Sequence, residues 1–170
     1  FSKEANFNSA TFSGQAHSIL IEFSKEANFG NATFSGPSKF TSAKFKSIAD
    51  FSDAIFDAPC NFREAKFINA YPNLSGTLLH SKTNVTTKDE YWPNEPIKNT
   101  TTDKDKNTTT DIIECCAHLR QNMALQGLHE EAHFFFRREM RHKEKVCQAW
   151  ERLFYKAYSW VEYGRGVWQP

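Results

Sequence analysis

The 170-residue chain has no run of eighteen or more apolar residues, so no segment of it reads as a membrane-spanning helix. Its first residues lack a basic stretch followed by an apolar one, the layout of a secretory signal. Neither sign of charge dominates. Lys and Arg number 21 against 20 for Asp and Glu, which argues against a nucleic-acid partner and equally against an acidic surface that mimics DNA. Cysteine is scarce. Cys60, Cys115, Cys116 and Cys147 fall at no framework spacing, and free thiols in a reducing, cytoplasmic compartment are the simplest reading. Neither a glycine-rich phosphate loop nor a nucleophile elbow occurs, so no cofactor is expected and the chain reads as non-enzymatic.

Phenylalanine, by contrast, is abundant and evenly spaced. The segment FSKEANF stands at Phe1–Phe7 and again at Phe23–Phe29. Cut at every second Phe, the first 77 residues fall into seven blocks of eleven without a slip of register. Each block opens with Phe (Phe1, Phe12, Phe23, Phe34, Phe45, Phe56, Phe67), and five carry a second Phe at the seventh place (Phe7, Phe29, Phe40, Phe51, Phe62). Ala fills most fifth and tenth places, such as Ala27, Ala32, Ala49 and Ala54.

An α-helix is rejected, because the two Phe positions of a block would point roughly 130° apart and because Gly14, Gly36, Pro37 and Pro59 interrupt it. One straight strand fails too. Phe gaps alternate between six and five, and a gap of five turns the next side chain to the opposite face. Short extended pieces that turn a corner every five or six residues, each giving one Phe and one Ala to a shared interior, describe a β-solenoid. Two blocks then make one coil of 22 residues. Ser18 stands where a Phe is expected, and with His17, Ile19, Leu20 and Ile21 it predicts a local bulge repacked with Ile or Leu.

The units A-N-F-N-S, A-T-F-S-G, A-K-F-K-S and A-D-F-S-D resemble pentapeptide repeats over residues 1 to about 78. The resemblance implies a mainly β fold: a right-handed, four-sided β-helix whose central Phe and the Ala two before it point inward. This chain departs from the strict pattern by a sixth residue in alternate units. Three regions are expected: a solenoid over 1–79, a flexible low-complexity linker rich in Thr, Asn and Lys over 80–110, and an α-helical tail over 111–170.

Asp111 and Glu114 form a capping-box pattern, and Ile112, Cys116, Leu119 and Met123 follow at helical spacing until Gly127. A second helix beginning near Leu128 or His129 is expected to bury Ala132, Phe136, Met140, Cys147, Trp150 and Phe154. The pair reads as an antiparallel hairpin. Its His129-Glu130-Glu131-Ala132-His133 matches HExxH, in which two His one turn apart ligate zinc and the Glu activates water. A small zinc hydrolase is therefore one alternative, with His129, Glu130 and His133 as candidates and Glu151 or Glu162 as the third ligand. The plainer reading is a polar first turn whose acids suit a helix N-terminus.

Arg137, Arg138, Arg141, Lys143 and Lys145 precede Trp150, Tyr155, Tyr158, Trp160, Tyr163 and Trp168. Cations followed by interfacial aromatics is the order of a chain nearing a membrane from the cytoplasmic side, which makes 137–170 a candidate for an anionic membrane surface. This segment also resembles the one before the transmembrane helices of membrane-anchored pentapeptide-repeat proteins, some of which end in an ion-channel-like pore. The sequence-level expectation is a scaffold or protein-interaction module, the cytoplasmic part of a longer membrane-associated protein with an unidentified protein partner. A regulatory domain of a channel-like protein is the second alternative, and a helical cap on the solenoid is the simplest competing role for the tail.

Overall fold

A computed structural model of the chain describes residues 1–93 and 109–146. The repeat winds into a parallel β-helix of four sheets, each strand only two or three residues long. With strands numbered in chain order, one sheet holds β1 (Ala5–Asn6), β5 (Ala27–Asn28) and β9 (Ala49–Asp50). The second holds β2 (Thr11–Phe12), β6 (Thr33–Phe34) and β10 (Ile55–Phe56). The third holds β3 (Ala16–His17), β7 (Ser38–Lys39), β11 (Cys60–Phe62) and β13 (Asn84–Val85). The fourth holds β4 (Glu22–Phe23), β8 (Lys44–Phe45) and β12 (Lys66–Phe67). Ala5 pairs with Ala27 and Ala27 with Ala49, so one coil is 22 residues and the repeated FSKEANF is the chain returning to the same side.

The alternation of five and six has a geometric cause. Every five-residue side turns through a tight corner with a residue at positive φ: Ser9, Leu20, Asn31, Ser42, Asp53 and Glu64, all between 54° and 58°. The corner is closed by a backbone bond such as Ala10 N–H to the Phe7 carbonyl (3.0 Å) or Ala32 N–H to the Phe29 carbonyl (3.1 Å). The six-residue sides turn more widely, as around Gly14 and Gly36, without a left-handed residue. At Gly36 the coils come so close that a Cβ would meet the Gly14 backbone. Asn6, Asn28, Asp50 and Asn73 each accept, through Oδ1, the N–H two residues on. These Asx turns aim the chain into the tight corner, which is why Asn or Asp recurs at that place.

Inside, the Phe residues form ladders. Phe1, Phe23, Phe45 and Phe67 stack nearly parallel with centroids 5.3, 5.0 and 5.2 Å apart. Phe12, Phe34 and Phe56 follow at 4.7 and 4.5 Å, and Phe7, Phe29 and Phe51 at 5.0 and 4.9 Å. Phe40 lies 5.0 Å over Phe62. Neighbouring ladders meet edge to face, as at Phe29 and Phe40, and each such ring pair adds about 0.5–1.5 kcal/mol beyond its burial. The ladder rings turn into the solenoid, with coverage rising from the first coil. Phe1 is 57% exposed and Phe7 and Phe12 are half-buried, whereas Phe23 onward is closed off.

Three features differ from the sequence-level reading. First, Ser18 causes no bulge: β3 keeps register with β7, and Ser18 N–H donates to the Lys39 carbonyl at 2.7 Å. Ile21, at an Ala place, packs on the core while Ile19 and Leu20 face solvent. Second, the solenoid does not stop at residue 79. One extra residue enters between Ala70 and Asn73, shifting the register to Asp50 with Asn73 and Asn61 with Asn84. The chain then forms β13 and a 3-10 turn at Asp89–Tyr91, and Trp92 finishes the first ladder 5.0 Å from Phe67. Leu74, Leu79, Val85 and Trp92 replace Phe in this coil, so a search for Phe alone misses it. Of the linker expected over 80–110, residues 94–108 lie outside the described residues.

Third, the tail packs on the solenoid with a different face from the one expected. Helix α1 spans Thr109–Leu125 and α2 spans His129–Val146. Gly127, at φ +75°, closes α1, and Leu128 N–H reaches the Met123 carbonyl at 3.0 Å, a glycine-ended helix stop. Helix α1 buries Ile112, Cys116, Leu119 and Met123 as its spacing predicts, and Cys115 and Asn122 beside them. Helix α2 buries Ala132, Phe134, Phe135, Arg138, Glu139 and His142, while Phe136 and Met140 are only half-buried. Apolar periodicity misplaced the face because three of its residues are polar. Cys147, Trp150 and Phe154 lie outside the described residues.

Candidate functional site

The capped end of the solenoid gathers the most varied chemistry. Phe135 meets the Trp92 ring edge-on at 5.3 Å, so the hairpin seals the bottom of the Phe ladders. Around this contact lies a buried polar network. The inserted residue of the fourth coil brings Tyr71 inward, where Arg138 Nη1 donates to its hydroxyl at 2.6 Å. Arg138 Nη2 donates to Asp89 Oδ1, also at 2.6 Å, and its Nε has no hydrogen-bond partner. Glu139, 2% exposed, accepts from Arg120 Nε at 2.8 Å and from Lys143 Nζ at 2.6 Å. Two charges that α2 carries inward are thus paired with groups from the solenoid and from α1, the condition on which a buried charge is tolerated.

This network redefines the basic residues expected to face a membrane. Arg138 is buried and holds the cap, and Lys143 is tied to Glu139. Arg137, Arg141 and Lys145 remain exposed, four residues apart in each case, and make one stripe along α2. Trp150, Trp160 and Trp168 lie outside the described residues. No helix among the described residues is long and apolar enough to cross a membrane.

The HExxH candidates sit in the first turn of α2. His129 and Glu130 are exposed, and His133 lies 28° from parallel to Phe136 with centroids 6.3 Å apart. Among the described residues no third metal-ligating side chain groups with them. Glu130 and Glu131 in the first turn and Lys143 and Lys145 in the last complement the helix dipole. The three thiols among the described residues are buried: burial raises Cys60 and Cys116 to about 12 and Cys115 well above its usual range. Cys60 and Ser38 occupy Ala places in the third sheet and stack in the interior.

Beside the cap lies a cleft of about 440 Å³. One wall is the run Thr83 to Lys88, the last turn of the third sheet, with Arg63, Glu64 and Lys82 above it. The other is the α1–α2 corner: Met123, Gln126, Leu128 and Glu131. Gln126 Nε2 crosses to the Thr83 carbonyl at 2.9 Å. Nothing in the sequence marks this cleft, because its walls come together only when the hairpin docks.

A family model described as pentapeptide repeats (9 copies) matches residues 21–66. The same four-sheet winding continues on both sides of the match, from Ala5 to Val85. No curated protein and no solved structure matches the chain.

Proposed function

Starting from a solenoid of pentapeptide repeats, we propose that the chain is a non-enzymatic scaffold, a protein-interaction module whose helical hairpin caps the lower end. One observation carries the reading: the reactive potential of the repeat is spent inside. Its Phe, Ala and Cys side chains line the interior, while the outer faces repeat Asn, Thr, Ser and Lys in ladders without a convergent acid, base or nucleophile. Such a body offers rigid contact area. Amine cross-linking of the full chain in its native extract, followed by peptide mapping, tests this. Another protein should link to the outward lysines Lys39, Lys44 and Lys66. If every link stays within the chain, or the purified chain turns over a peptide substrate, the scaffold reading fails.

A membrane-facing role for α2 is a second reading, favoured by the exposed stripe of Arg137, Arg141 and Lys145. It places the module at the cytoplasmic face of an anionic membrane, and a channel-like partner domain is compatible with it. Flotation with anionic vesicles should carry the full chain at low salt and release it as salt is raised. Arg137→Glu with Arg141→Glu should abolish flotation. Flotation insensitive to both changes refutes the stripe as the contact.

A further inference from the structure

Helix α2 has two faces, and the cap uses one of them. On the first, Phe135 meets Trp92, Glu139 accepts from Arg120, and His142 meets the Tyr71 ring edge-on. Phe136, one residue and about 100° further round, belongs to a second face with Met140 and Lys143, all three half-buried. The ammonium of Lys143 is held by Glu139 at 2.6 Å, so its apolar stem serves this face. Gaps of four and three between these residues are the spacing of a coiled-coil seam. The sequence beyond the described residues keeps that spacing without a slip through Cys147, Trp150, Phe154, Ala157 and Val161. No helix-breaking Gly or Pro stands between Leu128 and Gly164. The apolar periodicity of this segment thus belongs to a face that the solenoid does not take.

The order of side chains says what covers it. The stripe reads the same from both ends, its gaps symmetric about the point between Gln148 and Ala149. Two such stripes running antiparallel about a two-fold axis set Phe136 beside the partner's Val161, Met140 beside its Ala157, Cys147 beside its Trp150 and Lys143 beside its Phe154. Three of these pairs put a large side chain on a small one and the fourth puts a cation on a ring, so the seam fills. Parallel pairing would oppose Lys143 to Lys143 and Trp150 to Trp150, and leave Ala157 against Ala157. We propose that a second copy of the chain docks on this face of α2, in antiparallel two-fold pairing from Phe136 to Val161. Each cap receives the far end of the partner's stripe, and the assembly carries two solenoids. This goes beyond the scaffold reading and does not depend on it.

Sedimentation equilibrium of the full chain is the test, and it should return the mass of two chains. Phe154→Glu should weaken the dimer at least tenfold. Tyr155→Glu, one residue off the stripe, should not, and circular dichroism should show both variants folded. Orientation is read with Cys147→Ser chains that carry one added thiol, Met140→Cys in one batch and Ala157→Cys in another. A short bismaleimide should join the two batches when they are mixed, and join far less within either batch alone. A chain that stays monomeric up to about 100 μM, a dimer indifferent to Phe154→Glu, or links within a batch only would each overturn the proposal. Association seen only on anionic vesicles would overturn it as well, by giving the stripe to the membrane. Cross-links from another protein to the solenoid lysines of a monomeric chain would leave the scaffold standing while this interface falls.

Discussion

Phe45→Ala is the sharpest probe of the ring ladders. The Phe45 ring is wholly buried, stacked 5.0 Å from Phe23 and 5.2 Å from Phe67, and it meets Phe51 edge-on at 6.4 Å. Truncation removes the ring from both stacks at once and leaves a cavity that the paired strands above and below cannot close. The expected loss is about 3–5 kcal/mol, roughly a 6–20 °C fall in melting temperature at about 2–4 °C per kcal/mol for a chain of this length. Phe1→Ala should behave differently. That ring is 57% exposed, stacks on Phe23 on one side and meets Phe7 only edge-on at 6.2 Å, so about 1 kcal/mol is expected. Ser35→Ala, on the outer face, should change stability by less than about 0.5 kcal/mol. Thermal melting by circular dichroism reads all three. A loss at Phe1 as large as at Phe45, or a neutral Phe45→Ala, refutes the account of a core whose energy lies in the interior of the stack.

Leu20 sits at φ 58° and 79% exposed; Leu20→Asn should stabilise by about 0.5–1 kcal/mol, because Asn adopts the left-handed region more readily, while Leu20→Val should destabilise. Tyr71→Phe should weaken the cap by about 1.5–3 kcal/mol by removing a bond to the buried Arg138. In an Arg138→Met background the same change should cost less than about 0.5 kcal/mol, as read from hydrogen exchange of the α2 amides in a double-mutant cycle. With Cys147→Ser, the remaining thiols should resist a disulfide reagent at pH 8 until the chain unfolds. The sign follows from pKa values raised to about 12 at Cys60 and Cys116: both stay protonated well above pH 8 in the folded chain and ionise nearer their usual range when unfolded. Elemental analysis should find no stoichiometric zinc; one zinc per chain, lost in His133→Ala, would restore the HExxH reading.

The amino-acid sequence by itself determines the solenoid, because a repeat encodes the same local decision many times and every coil checks the one before. The 22-residue period and the inward Phe and Ala follow from residue type and spacing over 1–67, and the four-sided winding is what the resemblance to pentapeptide repeats implies. Helix α1 and its glycine stop are local too, set by periodicity and one positive φ. What only the tertiary structure decides is everything that depends on distant partners. Arg138 lies 67 residues from Tyr71, and in sequence it is one cation among five, with nothing to separate a buried latch from a solvated stripe. The face of α2 turned because Arg138 and Glu139 meet Asp89 and Arg120, whose positions no periodicity contains. The last coil from 80 to 92 hid among Thr, Asn and Lys, since its large side chains are no longer Phe and its register carries one inserted residue. The cleft beside β13 exists only once the hairpin has docked, so its residues, spread from Arg63 to Glu131, share no motif that a linear reading can recognise.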